Sequence, residues 1–332
     1  MAEIIKRVYI SKEYSPFENL ALEEYLLNSC QANEIILYLW QNDSTIVIGK
    51  HQNAYQECNL PLMEEDNILL ARRKSGGGAV YHDLGNLNYT FIASKSNYQE
   101  VKNFKVILAA LKDFNIEGNL SGRNDICVAD KKVSGCAFIH EDNIECHHGS
   151  ILVNSDLKKL ARYLSPSPIK IKSKGINSVK SRVANLKEFN SRITVDSLIN
   201  KIIDHFNLEF DGLLDETKVI NNPAIKKLEE EYQSWQWNFG QSPQSSLSKS
   251  QRFSWGTIDL SLTIINGQIK NCDINTDSLL NENFSQLSKN VVNKEARLKN
   301  IREQIGKYIV NNEVKFDLLT LFKSLVLEAN HK

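Results

Sequence analysis

The run Arg72-Arg73-Lys74-Ser75-Gly76-Gly77-Gly78-Ala79-Val80-Tyr81-His82-Asp83-Leu84-Gly85-Asn86 sets three cations directly before three consecutive glycines. A glycine triplet in a β-rich segment is costly, because each residue surrenders much backbone freedom on folding. It suits a place where a polar ligand lies on the main chain itself, with N–H groups unobstructed by Cβ atoms and turned toward anionic oxygens. The neighbouring cations point to phosphate or carboxylate as the owner of those oxygens. A Walker-type loop needs Gly-Lys-Ser/Thr opening a helix, whereas Lys74-Ser75 precedes the glycines here. A dinucleotide fingerprint needs spaced glycines before a helix, and Ala79-Val80-Tyr81 and Leu87 to Ile92 have strand character. The pattern describes an anion cradle of neither kind, although by itself it also fits a glycine-rich hairpin.

Other clusters carry polar chemistry with less specificity. Gly122-Arg123-Asn124-Asp125 is followed by Lys131-Lys132-Val133-Ser134-Gly135. A lysine ammonium is a compact charge that serves carboxylate and phosphate oxygens together, but a lysine pair after Asp130 equally fits a solvated hairpin tip. In His147-His148-Gly149-Ser150, adjacent histidines on a strand point to opposite faces. That spacing disfavours a shared metal and predicts one buried, hydrogen-bonded imidazole and one exposed. Cys136 precedes Ala137-Phe138 and reads as a small core residue, with a nucleophilic thiolate as the alternative. Lys172, Lys174-Gly175 and Lys180-Ser181-Arg182 form either a flap over an anionic ligand or a solvated loop.

These groups need a scaffold. Ser15-Pro16-Phe17-Glu18 reads as a helix start, and Phe17, Leu20, Ala21 and Leu27 follow at core-facing spacing. Strands are predicted over Glu34 to Trp40, Thr45 to Ile48 and Ile68 to Arg72, and around Lys132 and Ile151 to Val153. Helices are predicted over Val101 to Phe114, Asp156 to Leu164 and Val195 to Phe206. Residues 241–251 (Gln-Ser-Pro-Gln-Ser-Ser-Leu-Ser-Lys-Ser-Gln) have a linker's composition. Beyond them Asn266-Gly267 separates two strand-like runs, a strong hairpin signal, and a final helix is predicted over Val314 to Ala329. The expected organisation is an α+β protein with a catalytic domain over 1–245 and a small α+β domain over 252–332.

Composition narrows the function class. In 332 residues, Lys plus Arg and Asp plus Glu each number 40, so no global field draws the chain toward nucleic acid or an anionic membrane. No apolar run approaches a membrane span, and the first residues lack a secretory stretch. The six cysteines have no metal-ligand spacing. The expectation is a cytoplasmic protein with reduced thiols.

Several strings together resemble the bacterial lipoate–protein ligases of type A, within the biotinyl/lipoyl protein ligase family. They are Asn19 to Glu24, Val47 to Asn53, Arg72 to Asn86, Gly122 to Asp125, Lys132 to Gly135, His147 to Gly149 and Trp235 to Gly240. The resemblance implies a mixed β-sheet catalytic domain of the biotinyl/lipoyl-ligase type with an accessory C-terminal domain. It implies that lipoate and ATP, with Mg²⁺ carried on the phosphates, give lipoyl-AMP. The lipoyl group then passes to a lysine of lipoyl domains in 2-oxoacid dehydrogenase E2 subunits and glycine-cleavage H protein. By the same resemblance Arg73 and Lys132 are catalytic, and Arg73, Gly78, Ala79, Val80, Tyr81 and Lys132 bind ATP. Lys132, Ser75, His82 and Asn86 bind lipoate, with Asn124 and Asp125 as polar support and no metal ligand from the chain. The alternative is a lipoyltransferase that takes preformed lipoyl-AMP or a lipoylated donor. Cys136, where those enzymes commonly carry serine, is the one departure noted.

Overall fold

The computed structural model describes residues 3–122, 124–164, 183–215, 222–242, 245–278, 280 and 282–326. Arg123 and the basic segment with Lys172, Lys174, Lys180 and Arg182 lie outside the described residues, as does the end of the predicted last helix. Two compact units emerge. One gathers described residues within 1–50, 71–161 and 168–232, the other those within 51–70, 162–167 and 233–332.

The strands of the first unit are β1 (Ile5–Ile10), β2 (Glu34–Trp40), β3 (Thr45–Ile48), β4 (Leu69–Arg72), β5 (Val80–His82), β6 (Asn86–Ser94), β7 (Asn119–Ser121), β8 (Asp125–Val128), β9 (Lys131–His140), β10 (Ile144–Leu152) and β11 (Leu213–Asp215), with β4 crossing its boundary. Eight of them form one mixed sheet in the order β11-β1-β2-β6-β10-β9-β8-β7. The pairs β11/β1 and β1/β2 are parallel, and the pairs from β2 onward are antiparallel. Strands β2 and β6 are buried at every residue, which requires cover on both faces and explains their nearly continuous apolar sequence. One face packs Phe104, Ile107 and Leu111 of helix Glu100–Lys112 and Leu198, Ile202 and Phe206 of helix Val195–Glu209 against Leu37, Leu87, Tyr89 and Phe91. The other face meets helix Pro16–Ser29, capped by the Ser15 hydroxyl accepting from the Glu18 amide at 3.4 Å. A second, three-stranded sheet has the order β4-β3-β5. The glycine triplet joins its two outer strands.

In the second unit β12 (Ser245–Phe253), β13 (Gly256–Ile265) and β14 (Gln268–Thr276) form an antiparallel sheet in that order. Ile258, Leu260, Leu262 and Ile264 alternate into its core. Asn266 and Gly267 have φ of 49° and 72°, the left-handed pair that a two-residue hairpin demands. A Cβ at Gly267 would also lie 2.5 Å from the Trp235 ring. The expected linker is corrected here: Ser245–Phe253 pairs with β13 along its whole length. Ser246, Ser248, Lys249 and Ser250 are exposed on this edge strand, where polarity guards against further pairing and mimics a linker.

His147 and His148 do point to opposite faces of β10, but neither is exposed. His147 lies among Phe104, Phe138 and Tyr89, with ring centroids 4.7, 4.8 and 5.6 Å away, and neither of its nitrogens has a hydrogen-bond partner among the described residues. Burial pushes it down from 6.5 to about 3, with His148 adding to the shift. The folded chain therefore binds fewer protons than the unfolded chain, so the stability of the neutral ring is complete above pH 6.5 and is lost as pH falls from there toward 3. At pH 5 the loss from this ring is about 2 kcal/mol. His147→Phe is expected to flatten the fall in unfolding free energy between pH 7 and 5 by about that amount, measured by denaturant titration at each pH.

Candidate active site

The glycine segment is organised by one buried guanidinium. Arg73 Nη2 donates to the carbonyls of Gly76 at 2.7 Å and Gly78 at 2.8 Å, Nη1 to Val47 O of β3 at 3.2 Å, and Nε to Ser75 Oγ at 3.0 Å. Burial lowers it to about 10, with Glu23 pulling the other way, so it stays charged at neutral pH. Arg72, fully buried, donates to the carbonyls of Gly49 and Lys50. The Lys50 amide donates to Ser75 O at 2.8 Å and the Arg73 amide to Ile48 O at 3.0 Å. The carbonyls of Ser75, Gly76 and Gly78 are thus tied into the protein. No described residue accepts from the amides of Gly76, Gly77 or Gly78, all three exposed. Inward carbonyls and free outward amides are what an anion cradle requires.

Strand register places the remaining residues. Trp40, Asn88, Ser150, Gly135 and Asp125 are successive partners across β2, β6, β10, β9 and β8. Tyr38, Thr90, His148 and Ala137 form the adjacent row on the same face. Asn86 opens β6 on this face, with Oδ1 buried and without a partner; its Nδ2 donates to Asn88 Oδ1 at 3.0 Å. Lys132, half-exposed, reaches Asp125 Oδ1 at 2.7 Å. Asn124 acts on the backbone: its Nδ2 donates to Cys136 O at 2.7 Å and its carbonyl accepts from the Cys136 amide at 3.0 Å.

Helix Pro16–Ser29 supplies two polar residues one turn apart on its sheet-facing side. Asn19 Nδ2 donates to Asn42 Oδ1, and Asn42 Nδ2 lies 3.2 Å from His82 Nδ1. Burial first, then Arg73 and His148, push His82 down to about 3. The ring is neutral, and the Asn42 amide donating to Nδ1 puts its proton on Nε2, which is buried without a partner. Glu23 Oε1 lies 2.8 Å from His148 Nδ1 and accepts from Thr90 Oγ1 at 2.6 Å; His148 Nε2 lies 2.6 Å from Ser75 Oγ. With Trp40 Nε1 donating to Thr90 Oγ1 at 3.1 Å, an unbroken chain runs from the glycine segment to β2.

The structure thus brings Arg73, Ser75, Gly78 and His82 together. It sets Lys132, Asp125 and Asn86 on the sheet face to which Ser75 is joined through His148. Val80 and Tyr81 pair with Val47 and Ile46 in β5, and Ala79 leads into that strand. Sequence reasoning left out Glu23, Asn19, Thr90, Trp40 and His148 as site residues. A carboxylate on the apolar stripe with Leu20 and Leu27 was the available signal for Glu23. Cys136 resolves as a core residue: it is buried, and desolvation and nearby carboxylates push its thiol up to about 12, leaving almost no thiolate. Glu23, Cys146 and His148 bring a donor atom each within 4.8 Å of one another; the Glu23–His148 hydrogen bond and the same-face spacing of Cys146 and His148 on β10 account for that approach.

Residues 15–207 match the family described as the lipoyl protein ligase A/B catalytic domain, and residues 242–321 match the bacterial lipoate protein ligase C-terminus. The chain is 42% identical to a lipoate-protein ligase A of Psychrobacter cryohalolentis over 82% of its own length and 84% of that protein's. It is 41% identical to the one from Blochmanniella floridana over 86% and 88%. Among solved structures, LipL1 of P. falciparum in complex with lipoate matches with a TM-score of 0.62 at 32% identity, covering 96% of this chain and 98% of that one. The bipartite ligase of Thermoplasma acidophilum, solved with its E2 lipoyl domain, gives 0.62 at 26% identity over 74% and 99%. A lipoate-protein ligase A bound with ATP gives 0.60 at 25% identity over 72% and 100%.

A Cβ on Gly49 would lie 2.4 Å from Gly77 O and 3.1 Å from Gly76 C. Both are backbone atoms, and the Gly76 and Gly78 carbonyls on either side of the Gly77 carbonyl are held by Arg73. Gly49→Ala is expected to destabilise the fold by about 1–3 kcal/mol. Gly306→Ala, whose Cβ meets nothing within 4 Å, is expected to cost nothing; denaturant unfolding compares the two.

Proposed function

The chain belongs to the lipoyl protein ligase A/B family, and on that premise we propose how its sheet face carries out the family's two half-reactions. It is an ATP-dependent lipoate–protein ligase: lipoate and ATP give lipoyl-AMP and pyrophosphate, and the lipoyl group passes to a lysine amine of a lipoyl domain. The observation that carries the site assignment is the glycine segment with carbonyls tied to Arg73 and amides free. A carboxylate attacking an α-phosphate meets negative-on-negative repulsion, and preorganised N–H donors with a fixed cation lower that barrier.

In this reading the amides around Gly78 and Ala79, with the start of β5 at Val80 and Tyr81, receive the nucleotide phosphates. Arg73 acts mainly through the loop it holds, four of the five guanidinium N–H groups being engaged there. Lys132 bridges phosphate and lipoyl carbonyl oxygens, which a compact ammonium suits. Ser75, His82 Nε2 and Asn86 Oδ1 are the polar groups offered to the lipoyl carboxyl end. Asp125 is the counter-ion of Lys132, and Asn124 supports β9. Mg²⁺ is proposed to arrive on the polyphosphate, which supplies the oxygens it prefers. The carboxylates on this face, Glu23 and Asp125, are engaged with His148, Thr90 and Lys132.

No enzyme nucleophile is required, since the mixed anhydride is itself the activated acyl donor, and the raised Cys136 thiol speaks against a cysteine acyl-enzyme route. The acceptors are proposed to be the lipoyl domains of 2-oxoacid dehydrogenase E2 subunits and H protein. The T. acidophilum relative solved with an E2 lipoyl domain supports the first of these. Catalysis is assigned to residues 1–245 and an accessory role to 252–332. Among the described residues no helix is long and apolar enough to cross a membrane. The six cysteines, none of them in a disulfide, support a reducing, cytoplasmic setting.

Purified protein is expected to catalyse lipoate-dependent ATP–pyrophosphate exchange without any acceptor domain. No exchange, with transfer from supplied lipoyl-AMP intact, would reduce it to a lipoyltransferase. Lys132→Ala is expected to lose ~3 kcal/mol or more of transition-state stabilisation in the same assay.

A further inference from the structure

Lys132 and Gly135 lie on one strand on either side of a register irregularity between β8 and β9, where Cys127 pairs with Lys132 and Asp125 with Gly135. The irregularity brings both residues to the face that carries Asp125, although three positions apart they would alternate on a regular strand. The Lys132 side chain consequently runs back along the sheet over Gly135. An ideal Cβ on Gly135 would stand 2.6 Å from Lys132 Nζ and 2.7 Å from Lys132 Cε, with Asp125 Oδ1 at 3.6 Å. The ammonium therefore occupies the space that any other residue at position 135 would fill, while Asp125, the direct β8 partner of Gly135, holds it at 2.7 Å. Gly135 has no positive φ that would call for glycine on backbone grounds.

We propose that Gly135 is a positioning residue for Lys132: its missing side chain is the groove that, with Asp125 as the far wall, aims the ammonium at the reacting oxygens. The proposal rests on the ligase reading above, with Lys132 as the cation of the adenylation step. The atoms that a methyl group would meet are the far end of a flexible side chain, not backbone. Gly135→Ala therefore displaces the charge and leaves the strand in place.

Adenylation and stability separate this from a structural role. Gly135→Ala is expected to lower kcat of ATP–pyrophosphate exchange about a hundredfold, with a melting temperature equal to that of the Gly306→Ala control. Combined with Lys132→Ala, it is expected to slow exchange no further than Lys132→Ala alone, because Gly135 acts only through that lysine. Additive losses in the double variant, wild-type exchange in Gly135→Ala, or a large fall in its melting temperature would each overturn the proposal. If the wild-type protein gave no exchange, the ligase reading would fail instead. The groove has its own readout: acetic anhydride is expected to acylate Lys132 several-fold faster in Gly135→Ala, mapped by peptide mass spectrometry, and equal rates would remove it.

Discussion

A guanidinium buried inside a loop made largely of glycine is the constraint on which the site depends. Taken out of water, Arg73 needs acceptors, and the carbonyls of Gly76, Gly78 and Val47 with the Ser75 hydroxyl supply them. Those carbonyls can turn inward only if the chain is free of Cβ atoms where it meets β3 and the turn after it. Gly49 and Gly77 meet that demand, one packed against the loop's backbone and the other at φ 97° beside the guanidinium. Turning the carbonyls in turns the amides out. The proposed anion cradle is thus the reverse side of a solution to a burial problem.

The second organising feature is the division of labour between the faces of the large sheet. On one face Tyr89, Phe91 and His147 join the core formed with two helices. On the other, Thr90 and His148 are held by Glu23, and His82 is held through Asn42 by Asn19, one turn away on the same helix. Each of these helix residues fixes a histidine, Asn19 through Asn42 to His82 and Glu23 directly to His148. The buried polar groups are expensive unless paired, and most are paired within the network. Among the described residues His82 Nε2, Asn86 Oδ1 and Asn88 Nδ2 are left over, and we propose that a bound ligand supplies their partners.

Much of this was legible in the residues. Strands Glu34–Trp40 and Thr45–Ile48 fell where β-branched runs placed them, Asn266-Gly267 made its hairpin, and the glycine triplet beside cations suggested the anion cradle proposed above. What escaped has physical reasons. Strand β12 is a polar edge strand, so its composition looks like a linker until its partner is known. Alternation correctly sent His147 and His148 to opposite faces. It does not say whether a face is covered, and β10 sits mid-sheet with both faces packed. Arg73 looked like a ligand contact in sequence, yet most of its donors are spent on the loop. Charge alone does not distinguish a cation that meets substrate from one that builds the site. The closeness of Lys132 to Gly135 required the register irregularity, which no periodicity revealed.

The most direct test of the account is a crystal structure with a non-hydrolysable lipoyl-adenylate analogue bound. The account predicts the bridging phosphate-like group on the amides of Gly76 to Ala79, the acyl carbonyl within hydrogen-bond reach of Lys132 Nζ, and Arg73 still bound to the carbonyls of Gly76 and Gly78. An analogue seated away from the glycine segment, or a loop that releases Arg73 while Lys132 stays on Asp125, would contradict it.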